Sequence, residues 1–121
     1  MNLLFPVIEL LDRYAIAAVK YQHTDGSNKL ELEYYQKQIA NLDLESIQGQ
    51  MAELQQIHAK IWSLEKELKS GCENDLPLEQ IGRRAITIRD WNRERIRVKN
   101  LMADIVAKDQ VREFKKDHLS E

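Results

Sequence analysis

A chain of 121 residues has the size of one ordinary domain, large enough for a core and too short for two independent ones. Its formal net charge of −2 supplies no bulk attraction to nucleic acid or to an anionic membrane. A lone cysteine, Cys72, excludes an intrachain disulfide and a multi-cysteine zinc site, and it fits a reducing, cytoplasmic setting.

The most apolar stretch is residues 1–19, but Glu9, Asp12 and Arg13 interrupt it and no basic segment precedes it, so no export signal is expected. No uninterrupted apolar run reaches the ~18 residues that a membrane helix needs. Pro6 suits a first helical turn, and the glycine-free run from there to about His23 predicts a first helix, stopped by Thr24-Asp25-Gly26-Ser27-Asn28. Its apolar residues, from Val7 and Ile8 to Val19 and Tyr21, cover most of the circumference. A helix apolar nearly all round needs cover on several sides, so the sequence predicts a homodimer that buries this first helix.

Asn28 followed by Glu31 has the spacing of a capping box and predicts a short second helix over roughly 29–42, with Leu32, Tyr35 and Ile39 on one side. The adjacent Tyr34 and Tyr35 cannot both face inward. Asp43 or Ser46 can cap a third helix running to about Ser70, where Gly71 is expected to stop it. A fourth helix starts near Pro77 and keeps helical apolar spacing through Ile81, Ala85, Ile88, Met102 and Val106, a rod of about 45 Å. The charged end, 108–121, reads either as its fraying continuation, favoured by Val111 and Phe114, or as a tail. The expected fold is all-α: one domain over 1–121, an antiparallel bundle of three long helices plus one shorter helix, with coiled-coil-like seams and a long C-terminal helix.

Polar residues stand where that bundle should be apolar. On the third helix Ile47, Met51, Leu54, His58, Ile61, Glu65 and Leu68 follow steps of four and three, so His58 and Glu65 fall in a packing seam. On the fourth, Asn92, Arg95 and Lys99 share the stripe of Ile81, Ile88 and Met102. An unpaired buried charge is too costly to persist, which makes Glu65 and Arg95 natural partners. The first helix adds Glu9, Asp12 and Lys20 on one polar strip. Glu9, Asp12, Lys20, His58, Glu65, Asn92, Arg95 and Lys99 are therefore the candidate polar network. It either fixes helix register or forms a pocket in which Arg95 and Lys99 hold a small anionic ligand such as a phosphorylated molecule.

Catalytic signatures are absent from the spacing. Residues three before His23, His58 and His118 are Lys20, Gln55 and Lys115, which excludes the Glu-x-x-His pairs of a di-iron bundle. Glu9-x-x-Asp12 alone is a thin likeness to the magnesium-binding helices of all-α nucleotide pyrophosphatases. No cofactor, metal or catalytic residue is assigned, and the chain reads as non-enzymatic. Arg89, Arg93 and Arg97 form a basic row, but acids interleave it and a solvated face is expected rather than a nucleic-acid site. Trp62 and Trp91 each sit beside the seams and are expected to pack between the third and fourth helices.

Three segments, Glu9-Leu10-Leu11-Asp12-Arg13 with Ile16 and Lys20, Ile61-Trp62 with Glu65, and Asn92-x-x-Arg95 with Lys99, resemble a family of small bacterial all-helical proteins catalogued as a domain of unknown function. Arg93 and Lys66 stand where that family has acidic residues. The resemblance implies an all-helical fold and no particular activity. The functional expectation is a dimeric interaction or structural module; the alternative is an enzyme or sensor binding a phosphorylated small molecule in the polar seam.

Overall fold

The computed structural model describes residues 4–73 and 77–119, with side chains for residues 7–70 and 77–108. Cys72, Val111 and Phe114, weighed above, lie outside the described side chains. The chain forms four helices, α1 (Leu4–His23), α2 (Lys29–Ile39), α3 (Gln48–Glu73) and α4 (Leu78–Leu119), with a 3-10 turn at Glu45–Ile47 leading into α3. No strand occurs among the described residues.

Each helix end has a local cause. After His23, Asp25 turns left-handed (φ 52°) and the Gly26 N–H reaches back to the Tyr21 carbonyl at 3.1 Å, a Schellman-type stop. Asn28 does not cap α2 with its side chain as expected. Its Nδ2 instead donates to the Ala17 carbonyl at 2.9 Å, tying the α2 entry to α1. Helix α2 ends at Ile39, short of the expected residue 42, because the chain turns at once into the link where Asp43 Oδ1 accepts the Glu45 N–H at 3.1 Å. Helix α3 runs through Gly71 to Glu73 rather than stopping at Ser70. Helix α4 opens after Pro77, whose carbonyl accepts the N–H groups of Gln80 and Ile81. It continues to Leu119 as one helix of 42 residues, about 63 Å, so the charged end belongs to the helix.

Helix directions follow from side-chain pairs. Glu53–Arg97 and Glu67–Arg84 set α3 and α4 antiparallel, and Glu9–Lys99 with Asp12–Arg95 sets α1 antiparallel to α4. Asp12–His58 and the His23–Trp62 ring stack run α1 alongside α3 in the same direction. The core lies where all three overlap: Ile8, Leu11, Ala15, Ile47, Met51, Leu54, Ile57, Ile61, Val98 and Met102, with Trp91 and Ile88 packed at its margin.

Helix α1 touches α2, α3 and α4, so most of its apolar circumference is covered within the chain. Leu11, Ala15, Ala17 and Val19 are buried, and among its described residues Arg13, Ile16 and the stretch after Lys20 stay open. The reason for burying α1 in a dimer is thus met internally. Helix α2 has no fully buried residue, contacts no helix but α1 among the described residues, and leaves Tyr34 exposed while Tyr35 is half-buried. No helix among the described residues is long and apolar enough to cross a membrane.

Candidate functional site

The polar residues converge on Asp12, which α1 presents to the seam between α3 and α4. Asp12 is 1% exposed and sits beside Leu11 and Ala15, a position whose geometry calls for an apolar side chain. Its carboxylate is instead saturated with donors. Arg95 Nε donates to Oδ1 at 3.2 Å and Nη2 to Oδ2 at 2.7 Å, a two-point fork, while His58 Nε2 lies 2.8 Å from Oδ1 and Lys99 Nζ 3.5 Å from Oδ2. Lys99 also binds Glu9. Arg95 Nη1 reaches Asn92 Oδ1 at 3.4 Å, and Asn92 Nδ2 donates to the Ile88 carbonyl at 3.2 Å, the bond that orients the amide.

Burial is the largest single influence on Asp12 and acts to raise its pKa. The hydrogen bonds from His58 and Arg95, reinforced by their charges, outweigh it and hold the carboxyl well below the usual carboxylate range. An ionised carboxylate only accepts, so His58 must carry its proton on Nε2. Asp12 and Glu9 carry two negative charges and Arg95 and Lys99 two positive ones, so the cluster is neutral before His58 is counted.

Six of the eight sequence-predicted residues, Glu9, Asp12, His58, Asn92, Arg95 and Lys99, meet in this network. Two do not. Lys20 is half-buried and lies outside the network, its ammonium without an ion pair among the described residues. Glu65 does not pair with Arg95, whose fork is taken by Asp12; it is exposed, with no bond among the described residues. The cause is helix length: α1 ends at the level of Trp62, so α3 beyond that point packs against α4 alone and its seam opens to water. Trp62 likewise does not simply fill the α3–α4 interface but stacks on His23, ring centroids 5.6 Å apart.

A cleft of about 170 Å³ opens at this step in the bundle. Ile16 and Val19 from α1 and Ile61 and Trp62 from α3 form its apolar walls, and His58, Glu65, Asn92 and Arg95 its polar ones. The Trp62 Nε1–H is shut off from water without an acceptor, as is Asn28 Oδ1 without a donor. Neither orphan was legible from periodicity, which places a residue on a face but not its hydrogen bonds. Among the described residues no group of three His, Cys, Asp or Glu gathers as metal ligands would.

Farther along α4 the arginine row is paired. Arg97 binds Glu94 and Glu53 at 2.8 and 2.6 Å, Arg93 and Arg89 both lie near Asp90, and Arg84 reaches Glu67. No family model, curated protein or solved structure matches this chain.

Proposed function

We propose that this protein is a non-catalytic helical module that works as a homodimer in a reducing, cytoplasmic setting, its buried polar network fixing the register of the three long helices. The observation that carries the reading is unburied surface. The chain exposes 8866 Å², whereas a compact monomer of its 14.2 kDa is expected to expose about 6800 Å². The surplus exceeds the ~800 Å² per partner that a standard interface removes.

With α1 covered by its own chain, the surface suited to a second copy is a stripe on α4. Leu78, Ala85 and Ile96 are exposed and spaced by seven and eleven residues, steps that return to nearly the same helical face. Leu78 is 83% and Ile96 56% exposed. The polar network supports a structural role because its charges cancel and its bonds at Asp12 join α1, α3 and α4, as buried polar groups that set register do. The three segments behind the family resemblance also meet here, Asp12 with Arg95 and Lys99 in the network and Trp62 with Glu65 at its edge. Sedimentation equilibrium tests the reading: a dimer is expected at micromolar concentration, and a monomer there overturns it.

A further inference from the structure

We infer that the cleft at the end of α1 is a binding site for a short linear zwitterion, a carboxylate and an ammonium joined by three or four methylenes. This is independent of dimerisation. Four features of the cleft select that chemistry.

Its volume of about 170 Å³ is close to that of a cavity that takes one benzene, and well below the several hundred Å³ of a typical nucleotide-sized or drug-sized pocket. Its charges are of both signs. Arg95 spends one N–H at each nitrogen on Asp12 and Asn92, which leaves two of its five N–H donors for a carboxylate. Glu65, on the same cleft, is a carboxylate with no bond among the described residues, the natural mate of an ammonium. Arg95 and Glu65 line one cavity yet form no ion pair with each other, so the two remaining Arg95 N–H donors and the Glu65 carboxylate both face a ligand.

A phosphate monoester fits poorly. Asp12 already neutralises Arg95, Glu9 holds Lys99, and Glu65 repels a dianion. Spacing sets the ligand's length. Arg95 and His58 meet at Asp12, and Glu65 follows His58 by two helical turns, about 10 Å along α3. That rise sets the order of the span a ligand bridges, and three or four methylenes between its charged groups match it. Those methylenes lie against Ile16, Val19, Ile61 and the Trp62 ring. Trp62 on this cleft also has a buried N–H with no acceptor among the described residues.

The test is an NMR titration that follows the two indole N–H signals, with Trp91 as internal reference. 5-Aminopentanoate is expected to move the Trp62 signal saturably and leave that of Trp91 in place. Pentanoate, pentylamine and glycine, each lacking one charge or the span, are expected to bind about tenfold more weakly or worse. In Glu65→Gln, an exposed position that leaves the fold intact, 5-aminopentanoate should fall to the affinity of pentanoate while pentanoate itself is unchanged. A Trp62 signal unmoved by about 10 mM 5-aminopentanoate overturns the inference, as does a Glu65→Gln variant that binds it as the wild type does.

Discussion

Asp12 and Glu65 are both carboxylates on helix faces that periodicity marks as core, yet they live in different solvents. Asp12 is 1% exposed and held by Arg95, His58 and Lys99, so Asp12→Asn leaves two cations and an imidazole around a neutral amide. Breaking a buried pair in this way costs about 3–5 kcal/mol. Glu65→Gln, by contrast, changes an exposed group with no bond among the described residues and should stay within about 0.5 kcal/mol of the wild type. Urea unfolding of the two variants checks the contrast; equal destabilisation would refute the placement of the network on Asp12. The same residue sets an acid limit. Its folded pKa is depressed, so below about pH 4 the unfolded chain takes up a proton at this site that the folded chain refuses. The stability that Asp12 contributes is therefore whole above that range and declines as the pH falls below it. Denaturation midpoints measured from pH 6 to pH 3 should drop in the wild type and flatten in Asp12→Asn.

At the scale of elements, the sequence specified each helix but not how far its neighbour would extend. The α3 seam is buried from Ile47 through Ile61 as its spacing predicts, then fails at Glu65, because burial there depends on where α1 stops. That stop was legible: Asp25-Gly26 punctuates the chain, and Gly26 has φ +83°. What no pattern on α3 could tell is that His23, at the end of α1, stands level with Trp62. The same gap in information gave Arg95 the wrong partner, since Asp12 and Glu65 are equally plausible until helix ends are aligned in space. The turn itself carries a testable strain. A Cβ on Gly26 would meet the Tyr21 ring at 3.1 Å as well as a left-handed backbone, so Gly26→Ala should destabilise the protein by about 1 kcal/mol in thermal or urea unfolding. An unchanged midpoint would mean the turn relaxes at no cost. Helix α2, with no buried residue and one helical partner among the described residues, belongs to the low-stability end of the molecule. Native-state hydrogen exchange should show amides 32–39 opening at lower free energy than those of α3 near Leu54 and Ile57. Equal protection would instead make α2 part of the cooperative core.

For the whole molecule, length differences among the helices decide what is left to bind. Helix α4, at about 63 Å, outruns α3 at about 39 Å and α1 at about 30 Å, so one face of it must go uncovered by its own chain. Exposure by itself does not identify an interface, and α4 provides an internal control. Ile96 and Ile86 are 56% and 52% exposed, but Ile96 belongs to the stripe with Leu78 and Ala85 while Ile86 lies roughly 80° round the helix from it. Both positions are open enough to accept a charge without loss of the fold. A second copy seated on the stripe makes Ile96→Asp monomeric by light scattering, because a carboxylate is desolvated at the centre of the contact, and leaves Ile86→Asp dimeric. The stripe is refuted as the interface if Ile96→Asp still dimerises, or if Ile86→Asp is the variant that separates the copies. The cleft stands apart from this surface in its walls and its chemistry, so loss of the dimer should leave the Trp62 response to 5-aminopentanoate unaltered.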